Sequence, residues 1–300
     1  MQTSAGPGVW NRILDLGGPM KSLPVSILVL ALLALVAGCG SSESDTTGAT
    51  ASNCKPGELA TKKEGILTVA TDKPAYPPYF EDDDPENGEG FESAVAYAIA
   101  KNLGFSKGDV DWTVVPFNSS YAPGPKDFDF DVNQISITPT REKAVDFSAP
   151  YYTANQAVVA LKSSEAAEAT SLEDLKSAKI GVQIGTTSLD GVEEKIEPDE
   201  QPQVFNSSND VVTALKNEQI DAVVVDLPTA LYLTAVQVPN AKVVGQFSVP
   251  GGDQWGALLE KGSQLTPCVS EAIEALEESG ELEEITQRWM SKAAGAPELS

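Results

Sequence analysis

The residues best equipped for chemistry sit in one run, Ile135-Ser136-Ile137-Thr138-Pro139-Thr140-Arg141. A strand-like alternating segment ends in hydroxyl residues, a proline breaks it, and an arginine follows at once. A guanidinium offers a planar fork of donors that matches a carboxylate in bidentate fashion. Arg141 is therefore a candidate carboxylate receptor, with Ser136, Thr138 and free backbone N–H groups beside it. Two other places complement it. Gly185-Thr186-Thr187 opens a helix after a strand, and so supplies N–H groups, hydroxyls and the positive end of a helix dipole. Asp226 leaves a valine-rich strand with a carboxylate suited to an ammonium group. Each feature alone is ordinary: a surface arginine, a helix cap, an N-cap before Leu227-Pro228. Together they form a clamp for a zwitterion such as an α-amino acid, with Arg141 at one end and Asp226 at the other.

The elements that must position these groups alternate along the chain. Strands are predicted at 66–70, 112–116, 135–138, 179–183, 221–225 and 255–260, and helices at 91–103, after Arg141, from 185, at 210–217, from 226, at 266–278 and at 281–291. Ser171-Leu172-Glu173-Asp174 reads as a capping box for a short helix. That rhythm implies mainly parallel sheets covered on both faces, where ligands lie beyond the carboxyl ends of the strands. Tyr76-Pro77-Pro78-Tyr79-Phe80 reads equally well as an apolar wall for a small ligand and as a cap on the core edge.

Composition narrows the function classes. The chain of 300 residues has no histidine, which removes Ser–His–Asp and Cys–His catalysis and the commonest metal ligand. Lys and Arg number 20 against 44 Asp and Glu, a net charge of −24 that repels nucleic acid. No cofactor or metal is expected. An apolar fraction of 41% supports real cores, and the length suits two domains.

The N-terminus reads as an export signal. Lys21 precedes an apolar run from Leu23 to Ala37 that is short for a membrane-spanning helix, and small residues follow. Residues 1–38 are the expected signal peptide, with Met20 the better start. Val36-Ala37-Gly38-Cys39 resembles the lipobox of bacterial lipoproteins, in which Cys39 would carry the lipid. Residues 39–55 form a polar tether. The two remaining cysteines, Cys54 and Cys268, are expected to pair in an oxidising compartment.

From about Gly65 to Met290 the chain resembles the polar amino-acid substrate-binding proteins of bacterial ABC importers, the family-3 solute-binding proteins. The resemblance rests on Thr71-Asp72 with Tyr76-Pro77-Pro78, Gly90-Phe91-Glu92, Ile137-Thr138 with Arg141, and Asp146-Phe147-Ser148-Ala149-Pro150-Tyr151. Gly181-Val182 with Gly185-Thr186-Thr187, Asp221-Ala222-Val223 with Asp226, and Gly256 with Lys261-Gly262 complete it. It implies an α/β, two-lobed periplasmic-binding-protein-like fold of type II with a two-strand hinge. Lobe 1 would comprise 56–153 plus 247–292, lobe 2 would comprise 154–246, and 293–300 would be a tail. It also implies a lipid-anchored, extracytoplasmic monomer that binds an amino acid and delivers it to a membrane permease. By the same resemblance Arg141 takes the α-carboxylate with Ser136 and Thr187, and Asp226 takes the α-ammonium. Tyr76 lines the side-chain pocket, and Thr186, Asp72, Gln134 and Glu92 complete the expected ligand-binding set.

The chain departs from the pattern where Glu92 replaces the usual Asp and where Phe128-Asp129-Phe130-Asp131-Val132-Asn133-Gln134 replaces an apolar strand. Gln134 stands where a small residue is usual, which bears on specificity. Two other readings remain. One is a dehydratase on the same fold with Glu92 or Asp72 as general acid; the other is a ligand-sensing module.

Overall fold

The computed structural model describes residues 54–55, 57–249, 251–290 and 296–300. The signal segment, Cys39 and all of the tether except Cys54 and Lys55 lie outside the described residues. In the first half of the chain β1 (Leu67–Thr71) is followed by α1 (Phe91–Asn102), β2 (Val110–Val114), α2 (Phe117–Ser120), β3 (Phe130–Asp131) and the long β4 (Val145–Ala154). Then come β5 (Gln156–Leu161), β6 (Ile180–Gln183), α3 (Thr187–Gly191), β7 (Gln203–Phe205), α4 (Ser208–Lys216), β8 (Ala222–Asp226), α5 (Leu227–Tyr232) and β9 (Ala241–Phe247). The chain closes with β10 (Asp253–Glu260), α6 (Thr266–Ser279) and α7 (Glu281–Met290).

Two five-stranded sheets result, ordered β2-β1-β3-β10-β4 and β7-β6-β8-β5-β9. The first three strands of each are parallel, as the alternation with helices requires; the fourth runs antiparallel to both its neighbours, so both sheets are mixed. The chain passes between sheets twice, through Asn155 from β4 to β5 and between Phe247 and Asp253 from β9 to β10. At that crossing the Asn155 side chain donates to Gln246 Oε1 (2.9 Å). Helices α1 and α6 cover one face of the first sheet around Phe91, Ile99, Val269 and Ile273, and Phe128, Ile135, Val145 and Leu258 fill the other. The second sheet has an apolar cluster on each face.

Two expectations around Arg141 are corrected. The strand lies at Phe130–Asp131, not at 135–138, which touches β10 through a single bridge from Ser136 to Trp255. The helix expected after Arg141 is one 3₁₀ turn, Arg141–Lys143. Pro139 cannot donate to a ladder, and the pairing of 145–154 with β10 draws the chain straight into β4.

Cys54 and Cys268 form a disulfide across 214 residues, fixing the start of the described chain to the first turn of α6. Residues 296–300, expected only as a tail, lie against β9. Gln246 N–H donates to Pro297 O and Leu299 N–H to Gln246 O, both at 2.8 Å, and the Leu299 side chain is buried. Gly245 permits that approach, since a Cβ there would stand 2.5 Å from Leu299 Cγ.

Candidate ligand-binding cleft

The carboxyl ends of the parallel strands of both sheets face one cavity of about 430 Å³, a size suited to a small ligand. Arg141 enters it from the first lobe. The Thr138 hydroxyl accepts from the Arg141 backbone N–H (3.2 Å) and starts the turn. Arg141 Nη1 donates to Ser136 O (2.7 Å) and Nη2 crosses the cleft to Gly185 O (2.9 Å). The guanidinium carbon lies 4.8 Å from the centre of the Tyr121 ring and 5.4 Å from that of Phe117, so π faces back the cation. Only 6% of the residue is exposed. Burial lowers its pKa from the usual guanidinium value, against the pull of Tyr121, Asp253, Asp190 and Asp226. Gly185 has φ +73°, and a Cβ there would come 2.3 Å from Tyr121 Oη, so the lobes meet over a residue that must be glycine.

Asp226 enters from the second lobe at the end of β8. It stands at the N-cap position of α5, yet its side chain makes no cap hydrogen bond. Its Oδ1 accepts from Gln156 Nε2 (2.7 Å). Gln156 Nε2 also donates to Asp253 Oδ2 (2.6 Å), and Thr187 Oγ1 donates to that same oxygen (2.8 Å). Thr187 Oγ1 lies 3.2 Å from Ser136 Oγ in the other lobe. A continuous chain of hydrogen bonds thus runs from Ser136 through Thr187, Asp253 and Gln156 to Asp226. Burial first, and then the charge of Asp253, push the Asp226 pKa well above the usual carboxylate range.

The other residues singled out from the sequence divide into two groups. Tyr76, Asp72 and Gln134 line the cavity with Arg141, Ser136, Thr186, Thr187 and Asp226. Tyr76 Oη donates to Asn209 Oδ1 across the cleft, and its ring lies 6.0 Å from that of Tyr232. Asp72 accepts from the backbone N–H groups of Lys73 (2.7 Å) and Phe117 (3.0 Å). Thr186 directs its hydroxyl elsewhere: it donates to Gln183 O (2.8 Å) and accepts from Leu189 N–H (3.2 Å), capping α3.

Glu92 is not among the residues lining the cavity. It is fully buried behind Gln134, accepting from the Gln134 backbone N–H (2.7 Å), from its side-chain amide, and from Tyr151 Oη (2.5 Å). Burial pushes its pKa up to about 7. Its longer side chain, already notable in the sequence, reaches under the clamp and holds Gln134 in the left-handed region at φ 49°. That conformation is uncommon for a residue with a Cβ. Glu92 therefore shapes the pocket wall through Gln134.

Sequence reasoning missed Asp253, Gln156 and the rings behind Arg141. Asp253 follows Pro250-Gly251-Gly252 and reads as the solvated end of a turn; Gln156 opens an otherwise apolar strand. Tyr79, which the sequence leaves between a ligand wall and a core cap, does both. It is buried edge-on against Trp255 and also meets Thr229 Oγ1 (2.8 Å) across the cleft.

A two-lobed fold with opposite charges facing one interlobe cavity agrees with a family model covering residues 67–292. The chain belongs to the bacterial extracellular solute-binding proteins, family 3. Members of this family work outside the cytoplasm, and no described helix is long and apolar enough to cross a membrane. The arginine-binding extracellular protein ArtP of Bacillus subtilis (strain 168) is 31% identical over 269 residues, 87% of this chain and 97% of that protein. Among solved structures, an ancestral arginine-binding protein bound to glutamine is 34% identical with a TM-score of 0.64, covering 76% of this chain and 98% of its own. The ancestral amino acid-binding protein AncCDT-1, a precursor of cyclohexadienyl dehydratase, is 28% identical with a TM-score of 0.61, covering 75% and 95%.

Proposed function

We propose that this family-3 solute-binding protein holds a free α-amino acid between its lobes, with Arg141 on the α-carboxylate and Asp226 on the α-ammonium. The protein is the amino-acid-binding component of an ABC importer, and it passes its ligand to the permease without altering it. One observation carries the residue assignment: a buried guanidinium from the first lobe and a half-buried carboxylate from the second open on the same cavity. A ligand that bridges both lobes favours the closed arrangement through contacts that need both. Ser136 and Thr187 stand where they can add hydrogen bonds to the carboxylate. Asp72, Asn118, Gln134, Gln183 and Asn209 make the remaining wall polar and rich in acceptors. That wall favours a side chain with N–H donors, the chemistry shared by the arginine and glutamine in the names of its relatives.

A dehydratase reading is disfavoured by the same geometry. Glu92 lies behind the cavity, and both Asp72 oxygens accept backbone N–H groups. Lipidation at Cys39 and a monomeric state complete the proposal.

A melting screen of the mature domain against the twenty common amino acids, ornithine and citrulline tests the reading. Ligand at a hundredfold excess over its Kd adds about 2.7 kcal/mol to stability. A shift with one chemical group of amino acids, lost in both Arg141→Ala and Asp226→Ala, is the expected result. No shift with any amino acid would remove the assignment.

A further inference from the structure

Asp253 and Gln156 do not line the cavity, yet they determine what Asp226 can do. The Gln156 amide has two hydrogens and gives both away, to Asp226 Oδ1 and to Asp253 Oδ2, while its oxygen accepts from Ser188 Oγ (2.6 Å). That arrangement fixes the amide and leaves neither carboxylate a second donor from it. Asp253 is 1% exposed; its Oδ2 takes the Thr187 hydroxyl as well, and its Oδ1 is buried without a partner. One amide nitrogen thus bridges the two carboxyl groups, at 2.7 Å from Asp226 Oδ1 and 2.6 Å from Asp253 Oδ2.

The charged and titratable groups facing this pair come from every neighbouring element. Tyr79 and Tyr152 face it from the first lobe and Asp190 from α3, and none of them brings positive charge. Arg141 is the cation within range, but its Nη atoms are directed at the carbonyls of Ser136 and Gly185. Asp226 shares one neutral amide with Asp253 and has no cation directed at it, so desolvation and the neighbouring carboxylate both favour its protonated form.

We propose that Asp253, bridged to Asp226 through Gln156, is a positioning residue of the ammonium site that favours a protonated Asp226 while the cleft is empty, and that the ligand's α-ammonium takes the place of that proton. This rests on the reading of the cleft as an amino-acid site. The exchange balances simply: the ammonium arrives already protonated, one proton leaves Asp226 for solvent, and no bond of the ligand forms or breaks. The sign follows from linkage. The empty cleft binds more protons than the filled one, so affinity rises with pH until Asp226 of the empty cleft is deprotonated, by up to about tenfold per pH unit. The elevated pKa of Asp226 points the same way.

The test is calorimetric titration of the full mature domain with the amino acid giving the largest melting shift, in buffers of low and high ionisation enthalpy. The expected result is release of up to one proton per ligand by the wild type, with affinity strengthening as pH rises above the ordinary carboxylate range. Asp253→Asn keeps the shape but removes the second carboxylate, so proton release and the pH slope should both fall away. A purely structural role would instead weaken binding equally at every pH. Wild-type binding with no buffer-dependent heat would overturn the proton exchange and leave the amino-acid reading standing. If no amino acid binds, that reading fails and takes the proposal with it. The wild-type proton count decides the matter even if Asp253→Asn does not fold.

Discussion

The two lobes share one strand order, yet their central strands carry opposite chemistry. In the second lobe β8 is five residues, Ala-Val-Val-Val-Asp, buried until it delivers Asp226 to the cleft. Its counterpart β3 is two residues, Phe130-Asp131, with Asp131 fully buried and both its oxygens without partners. The second lobe thus presents Asp226, its proposed ligand group, directly from a regular strand. The first reaches the cleft through an irregular path, in which Gln134 is held in a left-handed conformation by Glu92 and Arg141 is braced by two rings and two carbonyls. A regular strand needs little support to place one carboxylate. Placing a guanidinium that must meet the opposite lobe requires a network, and that network includes buried carboxyl groups that weaken the first lobe.

If the first lobe is the more strained, its staple should matter most. The Cys54–Cys268 bond closes 214 residues around both lobes but anchors only the first. In the chain-entropy picture such closure contributes about 5 kcal/mol. Cys54→Ser with Cys268→Ser should lower unfolding free energy by up to that amount, with hydrogen exchange accelerated first in α6. Exchange accelerated first in the second lobe would reverse the comparison.

Glu92 comes next. Its folded pKa is raised, so the native state holds an extra proton and stability is greatest at acid pH. Stability then falls as pH rises from its ordinary 4.5 through about 7. The displacement corresponds to about 3 kcal/mol. The difference in unfolding free energy between wild type and Glu92→Gln, followed by urea denaturation, should change by about that amount between pH 4 and pH 8. A difference independent of pH would mean that Glu92 carries no such proton.

The smallest effect is expected at Asp131. Burial, then the charges of Glu92 and Asp72, raise its pKa well above the usual range. Asp131→Val should make β3 resemble β8 and stabilise the protein by about 1–2 kcal/mol at neutral pH. Destabilisation would show that Asp131 has a partner in solution.

The same contrast explains what could be read from the sequence. Asp221 to Asp226 reads plainly as a strand ending in a carboxylate, because an apolar run followed by Leu-Pro admits little else. The helices α1, α6 and α7 are legible from their periodicity, and the disulfide from cysteine count. Phe128 to Gln134 carries polar residues through a buried strand, so its pattern points to a strand that starts five residues late, at Ile135 in place of Phe130. Arg141 and Asp226 stand out by charge type. Asp253 and Gln156 do not, since their role arises only where the two sheets meet at the crossings. Local patterns record what each element buries; they do not record which side chains two elements bring together.

The measurement that tests the clamp most directly is calorimetric titration of the strongest-binding amino acid alongside its methyl ester and its N-acetyl derivative. Each derivative removes one charge and leaves the side chain unchanged. Loss of one partner from a buried charge pair costs about 3–5 kcal/mol, so each derivative should bind at least a hundredfold more weakly than the parent, at about that scale. Retained affinity for the methyl ester would contradict the role of Arg141, and retained affinity for the N-acetyl derivative would contradict that of Asp226.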